Sequence, residues 1–190
     1  MQENYQYNQI FNAEAINVKG FAKGEYENCV FNNCHFENHT FSNSQFIDCQ
    51  FNDCNLSMVP LQQTVFRGVQ FNHCKMLAMR FDTCQKNGLS VAFNSCMLQQ
   101  SSFYQAQLPK TRFHQSTLQG VDFTEANLAG AIFSDCNLLQ AIFYQTHLEK
   151  ADFTTAVDYS INPESNRIAK AKFAATGLAG LLHKYSIVIT

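Results

Sequence analysis

The sequence predicts an all-β protein whose chain coils in five-residue steps around a solid apolar core, as a parallel β-helix. A large apolar residue recurs at every fifth position in two long runs, and a small residue stands two positions before nearly all of them. Of the 18 Phe residues, 16 fall in these runs. A period of five matches neither a helix nor an ordinary alternating strand, so both are disfavoured.

The two runs define the repeating unit. The first begins at Phe21 and ends at Phe81, the second begins at Phe93 and ends at Phe153, and each has thirteen members. Side chains two apart point to the same side of an extended segment. Each pentad is therefore a very short strand with one small and one large residue inward. The remaining positions are mostly Asn, Gln, Asp, Ser and Thr, which suit corners.

The two runs are offset by two residues, and the offset falls at Gln85, Lys86, Asn87 and Gly88. Asn-Gly is a turn signal, so we expect a small bulge at one corner. As the one interruption of the repeat, this loop is a candidate functional feature. The alternative is a tolerated insertion without a role.

The cysteines are predicted to be structural. All eight occupy the small inward position, where Ala, Ser, Thr and Val stand in other pentads: Cys29, Cys34, Cys49, Cys54, Cys74, Cys84, Cys96 and Cys136. Neighbouring pentads lie on different walls, so their thiols cannot converge tetrahedrally as zinc requires. Cysteines at the same position of successive coils would be about 4.8 Å apart, which is slightly more than the Cβ–Cβ distance of about 3.8 Å in a disulfide. We expect free thiols, no metal and no cofactor.

Composition narrows the functional classes. The net charge of -2 nominates neither nucleic acid nor a membrane as a direct partner. No apolar run approaches the length of a membrane span, and the N-terminus lacks the features of a secretory signal. We therefore expect a cytoplasmic protein. No nucleophile–base set, phosphate loop or carboxylate pair is recognisable, so we expect no enzyme activity.

The pentads resemble the A-(D/N)-L-x-x unit of the pentapeptide-repeat family, for example in Ala126-Asn127-Leu128-Ala129-Gly130. This resemblance implies a right-handed quadrilateral parallel β-helix, a solenoid with four pentads or twenty residues per coil. It covers residues 19–157 and implies about seven coils, with residues 1–18 as an N-terminal lead-in or cap. One wall should then stack Phe31, Phe51, Phe71, Phe93, Phe113, Phe133 and Phe153.

Residues 158–190 differ in kind, because the repeat fails at Asp158, where a charge would face inward. A loop is predicted after it, then a short helix over 176–185 with Thr176 as a possible N-cap, and a terminal apolar strand. An open β-helix end exposes its core and must be covered. We expect this segment to be the cap and dimerisation element, through Leu178, Leu181, Leu182, Ile187, Val188 and Ile189.

The C-terminal pattern, from Asn162-Pro163 to Ile187-Val188-Ile189, looks like the tail of the Qnr quinolone-resistance proteins. That resemblance implies a homodimer joined at the C-terminus that binds DNA gyrase or topoisomerase IV, with an acidic rod standing in for DNA. The candidate partner-binding acidic band is Asp122, Glu125, Asp135, Glu149 and Asp152.

The chain departs from the Qnr pattern, because the longer loops are missing and residues 67–112 form a basic band. A second hypothesis therefore remains open: a structural or regulatory scaffold that docks an unidentified protein.

Overall fold

A computed structural model describes residues 4–14, 16 and 20–188. The chain forms a parallel β-solenoid of about eight turns. Thirteen short strands are present in the described residues: β1 Tyr5–Tyr7, β2 Ile10–Asn12, β3 Glu25–Glu27, β4 Val30–Asn32, β5 Gln45–Ile47, β6 Gln50–Asn52, β7 Val65–Arg67, β8 Val69–Asn72, β9 Val91–Asn94, β10 Arg112–His114, β11 Ile132–Ser134, β12 Asp152–Phe153 and β13 Lys172–Phe173. Three 3-10 helices, Phe81–Thr83, Ala175–Leu181 and His183–Tyr185, are also present, and the backbone is α-helical at Ala13, Glu14 and Ile16.

The rod has four faces, numbered here in chain order. Face 1 carries the four-stranded sheet β1-β3-β5-β7, and face 2 carries a nine-stranded sheet from β2 to β13. Face 3 is joined by isolated parallel bridges from His35 to Val157, and face 4 by bridges from Arg80 to Ile142. Partners are twenty residues apart, as in Phe113↔Phe133. The predicted coil length is therefore confirmed.

Face 2 contains the predicted phenylalanine column and extends it at both ends. Nine rings, from Phe11 to Phe173, form eight successive stacked pairs with centroids 4.6–5.4 Å apart and ring planes within 19° of parallel. The spacing follows from the separation of about 4.8 Å between neighbouring strands, and it suits offset stacking of the rings. The Phe and Leu side chains of the repeat fill the rod from one end to the other.

The small inward residues also bond to the backbone. The side chains of Thr64 and Thr146 donate to the carbonyl oxygens of Phe41 and Phe123 in the previous coil, at 2.8 and 2.9 Å. The thiol of Cys54 reaches the carbonyl of Phe31 at 3.3 Å. A small hydroxyl or thiol thus donates a hydrogen bond to a buried carbonyl oxygen, which an Ala side chain at the same position could not do.

The corners explain the polar residues between the inward ones. Two positions after the large residue, the backbone usually adopts the left-handed conformation, as at Asn33 (φ 52°), Gln115 (φ 48°) and Lys150 (φ 62°). Asn, Asp and Gly occupy that region at least cost. The bend after every fifth residue is therefore made by the corner backbone, and the polar side chains there point outward.

The two ends differ from the predicted division at residues 18 and 157. Strands β1 and β2 pair with β3 and β4, so both sheets extend into residues 1–18. Strand β13 pairs with β12, and Phe173 stacks on Phe153. The rod consequently has about eight turns rather than seven. The five-residue spacing resumes after the irregular segment at 158–165, with Ile168 and Phe173. Two matching pentads are too few to be recognised as a run in the sequence.

The C-terminal segment requires two corrections. The predicted helix is present as 3-10 turns, and its N-cap is Ala174 rather than Thr176, without a capping side-chain bond. The predicted strand is not formed at Ile187 and Val188, which have no regular structure, and Ile189 lies outside the described residues. A strand that needs a second molecule as partner has no backbone bonds to make in one chain. No helix in the described chain is long and apolar enough to cross a membrane.

Candidate partner-binding surfaces

In the described residues nearly all inward positions of the repeat are filled and buried, so the interior there leaves no room for a substrate. All eight cysteines are buried free thiols. Burial raises the pKa of Cys49 to about 12 and that of Cys136 to about 11, so these thiols are held in the protonated form. Among the described residues, no cluster of three or more His, Cys, Asp or Glu could hold a metal ion. Candidate sites are therefore on the outside.

The predicted acidic band is distributed around the rod. Asp122 lies on face 4, Glu125 at the corner between faces 4 and 1, and Glu149 on face 1. Asp152 lies on face 2, and Asp135 at the corner between faces 2 and 3. The band is continuous along the chain, but only Asp122 and Glu125 lie near each other on one side.

Local contacts divide these five carboxylates further. Asp152 forms an ion pair with Lys172 at 3.3 Å, and Asp135 lies 4.0 Å from a ring nitrogen of His114. One carboxylate oxygen of Glu149 is shielded from solvent without a hydrogen-bond partner in the described chain. Glu125 is exposed and accepts a hydrogen bond from the amide of Gln105 at 2.9 Å.

Two exposed tyrosines accompany Asp122 and Glu125. Tyr104 and Tyr144 stand on face 4, two coils apart, with 39% and 52% of their surface exposed. The hydroxyl of Tyr104 lies 3.5 Å from the carboxylate of Glu125. Ile142, which forms a bridge with Asp122, is 50% exposed. We call Tyr104, Asp122, Glu125, Ile142 and Tyr144 the acidic–aromatic face.

Sequence reasoning missed the tyrosines of this face, because it followed inward positions and charge. The signal was available, since Tyr104 and Tyr144 are forty residues apart and both directly follow an inward Phe. A period of twenty at an outward position indicates a shared face. Applied outward, the same spacing would also have separated Asp135 and Asp152 from Asp122.

The predicted loop at 85–88 protrudes from face 1. All four of its residues are exposed, and the pairing of Val69 with Val91 shows that the spacing between coils is twenty-two residues there. Lys86 lies 3.4 Å from the amide oxygen of Gln105, and a side chain at Gly88 would meet the guanidinium of Arg67. The loop is thus anchored on its neighbours and is not part of the acidic–aromatic face.

The C-terminal end carries the predicted dimerisation residues. Leu181 packs against the core, whereas Leu178, Ile187 and Val188 are exposed, Val188 by 87%. Leu182 is half-buried. The 3-10 helix lies over Tyr159, whose ring is buried and whose hydroxyl has no partner in the described chain. The end of the core is therefore covered within one chain, and an apolar fringe remains outside it.

Comparisons with known proteins agree with this architecture. The family model described as "Pentapeptide repeat region" matches residues 86–157, and the one described as "Pentapeptide repeats (8 copies)" matches residues 27–58. Together the two matches span more than half of the chain. Among curated protein sequences, none matches the chain.

Two solved structures of QnrB1, described as a plasmid-mediated fluoroquinolone resistance protein, are similar over their full length. One trypsin-treated variant aligns with a TM-score of 0.62 and 17% identity, covering 99% of this chain and 98% of that chain. Another trypsin-treated variant aligns with a TM-score of 0.63 and 16% identity, covering 100% of both chains. At this identity the likeness concerns the fold. The repeats, the twenty-residue coils and these matches show that the chain belongs to the pentapeptide-repeat family and has a fold resembling that of Qnr.

Proposed function

We propose that this chain is a non-catalytic binding protein that modulates a type II topoisomerase, DNA gyrase or topoisomerase IV, and protects it from quinolones. The observation that carries the proposal is the full-length structural match to QnrB1, a plasmid-mediated fluoroquinolone resistance protein, together with the C-terminal resemblance to Qnr. The buried repeat positions favour a role on the outer surface rather than catalysis.

The acidic–aromatic face is the proposed docking surface. Of the five acids considered, Asp122 and Glu125 stand together on one side of the rod, next to Tyr104 and Tyr144. Carboxylates can meet the basic lining of a DNA-binding groove as phosphates do. Exposed tyrosines supply the anchoring area that protein interfaces favour. In this proposal imitation of DNA is restricted to one face.

The C-terminal fringe is the proposed dimerisation surface. Leu178, Ile187 and Val188 are exposed apolar residues at the end of the rod, 47%, 55% and 87% exposed. Joining two such ends would bury them and give a longer rod. Ile187 and Val188 could then adopt the extended conformation that pairing between chains requires.

The test is a supercoiling assay with purified gyrase and a quinolone. The added protein should raise the drug concentration needed for half-inhibition. The variant Asp122→Asn/Glu125→Gln should need a protein concentration at least about tenfold higher for the same protection, which corresponds to about 1.4 kcal/mol of binding free energy. Both substitutions keep the side-chain size and one of the two acceptor oxygens, and they replace the other oxygen by an NH2 donor. The matched control is Asp53→Asn/Asp135→Asn, which removes the same charge from the corner between faces 2 and 3.

The control should retain the protection. If the wild-type protein changes neither supercoiling nor drug inhibition over a wide concentration range, the topoisomerase proposal is wrong. If both double variants behave like the wild type, the acidic–aromatic face is not the docking surface. Sedimentation of the wild type and of a Leu178→Glu/Val188→Glu variant tests the dimer separately.

A scaffold for another protein is the second candidate, and the outer surface of face 2 favours it. There the amide groups of Asn32, Asn52 and Asn72 form a ladder of two hydrogen bonds, each 2.8 Å long. A regular polar surface of this kind suits a partner with matching hydrogen-bond groups. A pull-down from cell extract that loses its partner when Asn52→Leu is introduced, with gyrase unaffected by the protein, would support the scaffold.

A further inference from the structure

One edge of the rod gathers positive charge from three separate parts of the sequence. Lys110, Lys150 and Lys170 occupy the corner between faces 1 and 2, with φ of 60°, 62° and 61°. Arg112 and Lys172 stand beside them on face 2, in β10 and β13. We call these five residues the basic edge.

Backbone pairing places the three corner lysines of the basic edge in one column along the rod. The amide of Lys110 bonds to the carbonyl before Gly130, that of Gly130 to the carbonyl before Lys150, and that of Lys150 to the carbonyl before Lys170, each at 2.8–2.9 Å. The stem of Lys110 lies over Gly130, where an added Cβ would be 3.5 Å from its Cγ. Lys110 and Lys170 are three coils apart, about 14 Å along the rod.

The cations of this edge are largely unneutralised. All five are exposed. Lys172 is ion-paired with Asp152 at 3.3 Å, whereas no ion pair joins Lys110, Arg112, Lys150 or Lys170 to any residue that the structure describes. Glu149 is the other nearby acid, beside Lys150 on face 1, and one of its oxygens is shielded from solvent. The edge therefore has a clear excess of positive charge, although the whole chain carries -2.

This arrangement is unfavourable for the isolated protein. The left-handed conformation suits Gly and Asn rather than Lys. Lys150 and Lys170 are neighbours on adjacent coils, where like charges repel each other. Glutamine at the same kind of corner, as at Gln115 or Gln145, avoids the repulsion. A polyanionic partner would turn this repulsion into attraction.

We propose that the basic edge binds the phosphate backbone of duplex DNA without reading its sequence. Phosphates of one DNA strand advance by about 3.4 Å along the helix axis, so the 14 Å edge faces about four of them. Lysines contact phosphates as point charges and carry little base information. The net charge of the chain does not favour direct contact with nucleic acid. The fold, however, brings together at one edge cations that are far apart in the sequence.

Two features favour duplex DNA over other anions. The described residues of the edge include no Phe or Tyr on which the bases of a single strand could stack. An acidic protein would need an apolar or aromatic anchor at the centre of its interface, and the centre of this edge is Gly130. This inference does not depend on the proposed topoisomerase function, since it concerns the purified protein and DNA alone.

Fluorescence anisotropy with a labelled 20-base-pair duplex tests the proposal between 25 and 200 mM NaCl. With four or five phosphate contacts, the logarithm of the association constant should fall with log[salt] with a slope of about -4. The variant Lys110→Gln/Lys150→Gln/Lys170→Gln should reduce the slope by about 2.7 and weaken binding at low salt. A second duplex of unrelated sequence should bind equally.

The matched control is Lys23→Gln/Lys75→Gln/Lys86→Gln, which removes the same charge from exposed positions away from the edge. It should keep the wild-type slope. Absence of binding by the wild type at 25 mM salt, or an equal loss in both triple variants, would overturn the proposal. Binding of a polyglutamate peptide as tightly as the duplex would assign the edge to an acidic protein and overturn it as well. Thermal unfolding of each variant confirms that it is folded.

Discussion

Faces 1 and 2 begin alike and end differently. Both start as parallel sheets in the first coils, but the sheet of face 1 stops at β7, whereas face 2 continues through nine strands to β13. The two extra residues at 85–88 lie on face 1, in the coil that follows β7. Beyond them face 1 is held by single bridges from Gln107 to Arg167.

The solenoid therefore absorbs an insertion on one face without disturbing the next. The strand after the loop, β9, pairs with β8 over four residues, Val69↔Val91 to Asn72↔Asn94. Across the slip Phe71 and Phe93 still stack, with centroids 5.4 Å apart and planes 10° from parallel. Each pentad bonds mainly to the coils above and below it, so an error in spacing is corrected at the next corner.

The largest expected effect comes from moving an insertion between these faces. Gly-Ser-Gly-Ser added between Asn87 and Gly88 should cost about 0.6 kcal/mol, the entropy of doubling a short loop. The same four residues between Arg112 and Phe113 should cost about 5 kcal/mol or more, because they interrupt β10 and leave several buried backbone groups unpaired at about 1–3 kcal/mol each. Urea denaturation measures both, and equal losses would contradict the distinction between the two faces.

The phenylalanine column of face 2 predicts the next effect. Phe113 is fully buried and stacks on Phe93 and Phe133, at 5.2 and 4.9 Å. Phe113→Ala should lower the free energy of unfolding by about 3–5 kcal/mol, the range for a buried aromatic ring. Phe173 is half-buried at the end of the column, so Phe173→Ala is the control and should lower the free energy of unfolding clearly less. A similar loss at both positions would mean that the stack does not govern stability.

The corner between faces 1 and 2 in the coil before the loop gives a smaller effect. Gly68 has φ +64°, and an added Cβ would lie 2.2 Å from a carboxylate oxygen of Asp48. Gly68→Ala should cost about 1–2 kcal/mol through backbone strain and the displaced carboxylate. Gly130→Ala has a similar φ and only ordinary contacts, so it should cost less in the same denaturation experiment. The reverse order would exclude the role of Asp48.

The smallest effect concerns charge on face 2. Hydrogen bonds from Thr154 and the ion pair with Lys172 lower the pKa of Asp152. A folded-state pKa below the unfolded value, about 3.9, gives stability that is present above that value and is lost as pH falls through the folded-state pKa. Lys172→Gln should cost no more than about 0.5 kcal/mol at pH 7, since the pair is exposed. The difference from wild type in thermal unfolding should shrink as pH falls through the folded-state pKa of Asp152; a difference that stays constant would have another origin.

Much of the fold was predictable from the periodic positions. The spacing of five identified which Phe residues point inward, and the offset between the two runs located the loop at 85–88. Phe11 and Phe173 were missed as members of the column, because too few consecutive pentads surround them. The apolar residues Ile187 and Val188 predict a strand, but a single chain has no neighbouring strand with which they could pair.

The candidate surfaces were less predictable than the core. Asp122 and Asp152 are neighbours in a band of sequence, yet they lie on faces 4 and 2. Lys110 and Lys170 belong to different bands, yet they share one edge. Outward residues are free of packing constraints, so their arrangement depends on which corner each one occupies.

Which residues point inward can be read from the sequence, because burial requires apolar residues at fixed intervals. The coil length of twenty residues follows from the resemblance to the pentapeptide-repeat family. Which charges and tyrosines meet depends on the fold, since neighbours on the surface are twenty residues apart in the chain. The acidic–aromatic face and the basic edge exist because stacking brings residues of successive coils to within about 4.8 Å of each other.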